Sequence, residues 1–377
     1  MKKVFLFSLF LLLGLVFSQA LPAMMGETYE VLAGIARWAM FVCLAYIMIN
    51  VGREFELEKA KWRSYAVDYF IAMATAAVPW IFVAMYYIFF IDSGLSWDKN
   101  LLISRFAAPT SAGILFTMLA AAGLKQEWIY KKTQVLAIFD DLDTILLMIP
   151  LQILMIGFKW QLFVIIFVVC VLLLFGWKKL SSMNLPQSWR SIMVYAVCIV
   201  AACESIYLLS KSLMGPDGAI HIEVLLPAFV LGMVMKTVHN TSAAEERASD
   251  LISYVFMFLV GLSTPLFIGM DAAGGVMPGW GELAFHVIVV TLLSNIGKMF
   301  PMFFYRDRDI LERLALSIGM FTRGEVGAGI IVIALGYHLG GPVIIISILS
   351  LVLNLVLTGF FVAIVKYLAR RVYGVKE

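Results

Sequence analysis

About twelve stretches of this chain run for roughly 20 residues with almost no charge, the length an α-helix needs to cross a bilayer. They lie near 4–23, 29–51, 66–91, 100–124, 133–157, 159–177, 189–210, 220–237, 250–270, 281–305, 311–336 and 340–367. In hydrocarbon every backbone N–H and C=O must be satisfied internally, so only helices or a closed barrel can span it. Barrels show alternating strands of about ten residues, not long continuous runs. The reading is therefore an all-α polytopic membrane protein. Composition agrees: 62% of the 377 residues are hydrophobic and 14% are charged, against about 25% charged in a soluble domain. A soluble enzyme, a nucleic-acid binder and a disordered chain are excluded.

The connections orient the spans. With the N-terminus inside, the inside loops are 52–65, 125–132, 178–188, 237–249 and 306–310, plus both tails. They hold Arg53, Lys59, Lys61, Arg63, Lys125, Lys131, Lys132, Lys178, Lys179, Arg247, Arg306 and Arg308, whereas the outside loops hold little beyond Lys99, Lys159 and Lys211. This alternation is the positive-inside pattern. Trp62, Trp97, Trp128, Trp160, Trp177, Trp189 and Trp280 fall near span ends, as an interfacial belt would. The first stretch has two readings. Met1-Lys2-Lys3, an apolar run and Ser18-Gln19-Ala20 match a cleavable signal as well as a first span, leaving eleven or twelve helices. The expected organisation is this segment, 1–23, followed by one transmembrane unit, 24–377. No polar connection approaches the roughly 50 residues of an appended soluble domain.

Cys43, Cys170, Cys198 and Cys203 lie in apolar runs without CxxC spacing, and the four histidines are scattered. Neither a disulfide framework nor a metal or haem bundle is indicated, and no cofactor is expected.

Ionisable residues at membrane depth cost about 2.5–3.5 kcal/mol each on insertion scales and point to function. Here they are Arg105, Asp140, Asp141, Asp143, Glu204, Glu223, Lys298, Arg323 and Glu325, with Asp68 and Arg37 nearer span ends, where they can snorkel. Three carboxylates crowd into Phe139-Asp140-Asp141-Leu142-Asp143. At 100° per residue Asp140 and Asp143 lie about 60° apart, with Asp141 about 100° from Asp140. Such acids must be protonated, paired or coordinating a cation, and their hard oxygens suit protons and small alkali cations. A salt-bridge knot between helices is the alternative. Lys298 lies roughly 10 Å from the nearest inside loop at 1.5 Å per residue, so pairing with a carboxylate is expected.

Two spans are interrupted near mid-depth, by Ala108-Pro109-Thr110-Ser111-Ala112-Gly113 and by Phe321-Thr322-Arg323-Gly324-Glu325-Val326-Gly327. Broken helices in corresponding positions of two halves point to a transporter binding site. Spans three to five and ten to twelve would form inverted repeats, each with its broken helix in the middle. Arg323 and Glu325 would neutralise half-helix ends, each worth about half a unit charge.

In order along the chain, these stretches resemble the monovalent cation:proton antiporters, second subfamily, of the sodium/hydrogen exchanger type. The resemblance rests on Val51-Gly52-Arg53-Glu54-Phe55-Glu56-Leu57, the Pro109-Thr110-Ser111 break, Phe139-Asp140-Asp141-Leu142, Phe258-Leu259-Val260-Gly261-Leu262-Ser263, Gly297-Lys298 and Arg323-Gly324-Glu325-Val326-Gly327. It implies crossed broken helices in a core that moves against a dimerisation domain, by alternating access. It also implies Asp141 as the ion- and proton-binding acid, Asp140 sharing that role and paired with Lys298, and Thr110 and Ser111 lining the site. Na+, or Li+ or K+, would exchange for H+, with more than one proton per cation, in a homodimer of the plasma (inner) membrane. Two departures stand out. The signal-like 4–23 segment replaces a Pro/Gly-rich first helix, and Asp143 occupies a position usually apolar or small. Asp143 is thus a possible auxiliary ligand. The alternatives are a potassium/proton efflux transporter or a cation channel of the same fold. An intramembrane aspartyl protease is disfavoured, because its two aspartates come from facing helices and no second intramembrane aspartate cluster exists here.

Overall fold

The computed structural model describes residues 2–26, 28–53, 62–91, 94–111, 119, 124, 127–147, 150–151, 161–214, 224–236, 242–263, 278–337 and 339–373. The helices are α1 (Lys2–Met25), α2 (Thr28–Arg53), α3 (Trp62–Phe90), α4 (Trp97–Ser104), α5 (Trp128–Leu146), α6 (Gln161–Lys178) and α7 (Trp189–Met214). They continue as α8 (Leu225–Val234), α9 (Ala243–Leu262), α10 (Trp280–Gly297), α11 (Ile310–Gly319), α12 (Glu325–Gly336) and α13 (Pro342–Tyr373). Among the described residues the only strand-like pairing is an isolated bridge between Met183 and Met235. The protein is a multi-pass, all-helical membrane protein. Among the described residues, 6 helices are long and apolar enough to span a bilayer unaided. The other expected spans either break in mid-course or run through positions outside the described residues, as 100–124 and 133–157 do.

Helix starts follow the aromatic belt. Trp62, Trp97, Trp128, Trp189 and Trp280 each occupy the first position of a helix. Their rings combine an apolar body with one N–H, which suits the boundary between lipid and water. Two boundaries differ from the sequence reading. The ninth span begins at Ala243 rather than 250, because Ser242 accepts from Glu245 N while Glu245 caps Ser242 N in return. This capping box extends the helix through part of the expected inside loop. The eighth span shortens to the 10 residues of α8. It stops where Met235 turns extended and Lys236 N donates to Met183 O (2.9 Å).

Packing sets the layout around the breaks. α1 lies against α9, where Tyr254 stacks on Phe10 at 5.6 Å and meets Phe7 edge-on at 5.4 Å. α2 and α8 cross on glycine: a Cβ on Gly52 would collide with the Phe229 carbonyl, and one on Gly232 with that of Ile49. Membrane helices lack a hydrophobic drive to associate, so close backbone approach at small residues is how they gain contact. α3 and α10 run antiparallel. Tyr86 meets His286 at one end (2.7 Å), Pro79 abuts Gly297 in the middle, and Asp68 meets Tyr305 at the other (2.8 Å). At that last end Lys132 of α5 also holds both Asp68 oxygens at 2.9 Å. Asp68 is thus a buried, paired carboxylate and does not snorkel, whereas Arg37 is exposed on α2. Glu204 is exposed on α7. Glu223 lies outside the described residues.

Candidate ion-binding site

The first break follows from Pro109. Proline has no N–H to continue the ladder and its ring crowds the carbonyl four residues back, whereas Ala108 itself keeps helical φ/ψ (−73°, −56°). α4 therefore tightens into a 3₁₀ turn over Arg105–Ala107 and then runs without helix from Ala108 to Ser111. The second break opens after Gly319 and closes at Glu325, the first residue of α12. Glu325 thus begins a helix rather than sitting in unwound chain; its side chain lies outside the described residues, as do Ala112 and Gly113.

The two breaks cross and hydrogen-bond to each other. Ser111 N donates to Thr322 O at 3.0 Å, and Thr322 Oγ1 donates back to Ser111 O at 3.4 Å. Thr110 Oγ1 reaches Met320 O at 3.2 Å. Arg323 Nη1 donates to Pro109 O (3.4 Å) and Met320 O (3.2 Å), and Nη2 to Ser294 O of α10 (3.4 Å). Backbone groups that helices normally satisfy are thus satisfied across the crossing, the condition for unwound chain inside a bilayer.

α5 places its acids against this crossing. Asp140 and Asp141 are fully buried, and Asp143 is 1% exposed. Lys298, the cap residue of α10, is also fully buried. Its Nζ donates to Asp140 Oδ2 at 2.7 Å, to Thr110 Oγ1 at 3.1 Å and to the Ala108 carbonyl. Thr110 Oγ1 lies 2.7 Å from the same Asp140 oxygen. Asp140, Thr110 and Lys298 therefore form one cluster, with Ser111 and Arg323 on the crossing strands beside it.

Asp143 has other partners. Arg105 Nη2 lies 4.0 Å from Asp143 Oδ2 and donates to the Asp143 carbonyl at 2.9 Å, and Tyr69 of α3 hydrogen-bonds to the Asp143 carboxyl. Arg105 Nε donates to Thr144 O at 3.2 Å, and the guanidinium stacks over Trp80 at 4.5 Å. Sequence reasoning placed Arg105 at membrane depth but gave it no partner. A charge count held the signal: three acids on α5 against Lys298 and Arg323 leave one carboxylate over. With Arg105 included, the three buried acids of α5 are matched in number by three cations buried among the described residues. Among the described residues, no group of three or more His, Cys, Asp and Glu is arranged to hold a resident metal ion. Asp140 and Asp143 meet different cations, Lys298 and Arg105.

Comparisons with known proteins bear on this arrangement. The fold resembles that of the sodium proton antiporter MjNhaP1 from Methanocaldococcus jannaschii over nearly the whole of both chains. Against its structure at pH 8 the TM-score is 0.59, at 14% identity, covering 94% of this chain and 92% of that one. A second structure of MjNhaP1, an electron-microscopy map, gives 0.59 at 15% identity, covering 98% and 92%. In sequence, 111 residues are 27% identical to the high-affinity Na+/H+ antiporter NhaS3 of Synechocystis. That match takes in 29% of this chain and spans only 23% of NhaS3. No family model matches. The chain therefore has the sodium/proton antiporter fold, and the proteins it resembles are transporters.

Proposed function

We propose that this protein is a secondary antiporter that exchanges protons for a monovalent cation, Na+ in the first place, by alternating access. The observation that carries the reading is the buried Asp140–Lys298 pair at a crossing of two broken helices, with Asp141 beside it. The fold shared with MjNhaP1 and the local similarity to NhaS3 support it.

The chemistry follows from charge. With these six groups ionised, Asp140, Asp141 and Asp143 balance Arg105, Lys298 and Arg323. A cation arriving at Asp141 adds one positive charge to a low-dielectric site, where unbalanced charge is costly. Protons compete for the same oxygens, so the site holds the cation or protons but not both. This competition couples the two fluxes. Asp140 takes a second proton when Lys298 lets go, which gives two protons per cation and one net charge moved per cycle. Such a cycle is driven by about 2.3 kcal/mol per 100 mV. Thr110 and Ser111 line the site, and Glu325 with Arg323 tunes the half-helix ends. Asp143, held by Arg105, supports α5 and is not a third ligand. Residues 24–377 form the exchanger unit in a homodimer of the plasma (inner) membrane.

The test is a dequenching assay in proteoliposomes with Na+, Li+ and K+ at several pH values. Cation-induced proton movement is expected, with Na+ giving the largest response. A preference for K+ would favour the efflux alternative, and cation flux without proton movement a channel. Asp141→Asn should abolish exchange in a folded protein; retained exchange would defeat the site assignment. Transport indifferent to a clamped potential would remove the two-proton stoichiometry.

A further inference from the structure

Beside the crossing lies a polar seam that the exchange chemistry does not use. On α13, Ser347, Ser350, Asn354 and Thr358 recur at i, i+3, i+7 and i+11, which puts them on one stripe about 80° wide. All four are fully buried. On α10, Thr291 and Asn295 are 2% and 7% exposed.

Hydrogen bonds fix how these stripes face. Ser350 Oγ donates to Val287 O of α10 at 3.2 Å. Ser347 Oγ lies 2.7 Å from Tyr87 OH, next in chain to Tyr86, which meets His286. At the opposite ends, Tyr373 bonds to Glu312 of α11, and Arg313 of α11 reaches Met302 just beyond α10 at 3.1 Å. α10 and α13 therefore run in the same direction. Thr291 and Asn354 each lie one turn further along than the bonded pair Val287 and Ser350, so they share a level in the seam. One turn beyond Thr291 are Asn295 and Ser294, whose carbonyl accepts from Arg323.

The hydroxyls mostly satisfy themselves: Ser347 on Val343 O, Thr358 on Asn354 O, Ser294 on Thr291 O. The others do not. Asn354 Oδ1 and Nδ2, Thr291 Oγ1, Asn295 Oδ1 and Arg323 Nε have no hydrogen-bond partner among the described residues. Buried polar groups are nearly always bonded to protein or ordered water. Asn354 alone offers two donors and an acceptor with two lone pairs. A ligand here must both accept and donate, and must tolerate the Arg323 guanidinium nearby. A bare cation fails on both counts, whereas water meets both.

We infer that the α10–α13 seam is a buried hydration site, in which ordered water joins Asn354, Thr291 and Asn295. Water between two helices can change partners as they slide, whereas direct side-chain bonds would have to break. The seam thus eases displacement of α10, which carries Lys298, against α13 during exchange. The second half of this inference rests on the antiporter reading; the first does not.

Radiolytic hydroxyl-radical footprinting of the full chain in lipid nanodiscs tests the water directly. Bound water generates radicals in place, so a residue beside it oxidises even when bulk solvent cannot reach it. Leu351, fully buried one turn before Asn354, is the reporter, and the equally buried Leu316 of α11 is the internal comparison. Leu351 should oxidise at least fivefold faster than Leu316, and Asn354→Leu should abolish the excess. Equal rates in the wild type, or an excess unchanged in Asn354→Leu, would overturn the site. If Asn354→Leu does not fold, Thr291→Val serves in its place, with the same expected loss and the same overturning result. In proteoliposomes, Asn354→Leu should lower the maximal exchange rate at least fivefold with the apparent KM for Na+ unchanged, and Asn354→Ser should restore most of it. An unchanged maximal rate, with the label excess abolished, would leave a hydration site and overturn its role in exchange. The label is read without transport, so its result stands whatever cation, if any, is exchanged.

Discussion

Lys298→Ala is the sharpest perturbation of the buried network. Lys298 Nζ is inaccessible to solvent, and its three acceptors are the Asp140 carboxylate, Thr110 Oγ1 and the Ala108 carbonyl. Deleting the amine leaves Asp140 with the Thr110 hydroxyl alone among those groups. Breaking a buried ion pair by removing one partner costs about 3–5 kcal/mol, mainly because the surviving charge is stranded. At roughly 2 °C per kcal/mol for a chain of this size, the thermal midpoint should fall by about 6–10 °C. The second variant decides the cause. Asp140→Asn in the Lys298→Ala background removes the stranded charge, so the double variant should regain more than half of the loss. The pair would then show a coupling of about 2–3 kcal/mol in a double-mutant cycle. The assay is tryptophan-monitored unfolding of purified protein in one detergent at one pH. Additive losses, or a double variant less stable than Lys298→Ala, would mean that the amine contributes packing and backbone capping, not charge compensation.

Arg105→Leu should cost about 3–5 kcal/mol by the same logic, and Arg105→Lys should recover only part of it. An ammonium cannot bond two carbonyls in a fixed fork and stack flat on Trp80 at once; thermal midpoints of the two variants compare the losses. Gly232→Leu should separate α2 from α8, since its Cβ alone meets the Ile49 carbonyl; a midpoint loss equivalent to about 1–3 kcal/mol or poor monodispersity on gel filtration is expected, and a neutral result would contradict the close crossing. Asp68→Asn weakens the charge-assisted bonds to Lys132 and Tyr305. Lys132 is 18% exposed and can turn toward water, so the loss should be about 1.5 kcal/mol, at the weak end for bonds to a charged group; a loss as large as that of Lys298→Ala would place this end much deeper than the charge pattern of the loops does.

How much was legible in the sequence depended on the range of the physics involved. Span positions come from local burial of apolar length, so α2, α3, α7, α10 and α13 begin or end within a few residues of the hydropathy reading. The tryptophans at helix starts are equally local. The break at Pro109 was visible because proline acts on its own neighbours. Its extent was not: the helix already tightens at Arg105, where the guanidinium turns toward α5. Likewise Glu325 looked like part of unwound chain, yet it opens α12, because the unwound backbone is confined to residues 320–324 by bonds to Ser111, Thr110 and Pro109. The partnership of Arg105 with α5 is a contact between residues nearly 40 apart, and no local pattern encodes it. The α13 seam was missed for a different reason. Ser347, Ser350, Asn354 and Thr358 carry no charge, and single polar residues three or four apart barely disturb an apolar run.

The three buried cations share a feature that bears on how such a site can change charge. Each donates to carbonyls at a helix end or break as well as lying near a carboxylate. Arg105 serves the last turn of α5, Lys298 serves Ala108, and Arg323 serves Pro109, Met320 and Ser294. Such ends carry about half a negative charge each. An isolated buried Lys–Asp pair would resist protonation of its acid, since that would strand a bare ammonium in low dielectric. In the proposed cycle Lys298 would keep the Ala108 carbonyl and the Thr110 hydroxyl while Asp140 carries a proton, so the ammonium would not be left bare. The broken helices thus supply fixed negative partial charge beside these cations, and a site built from the same six side chains on unbroken helices would lack it.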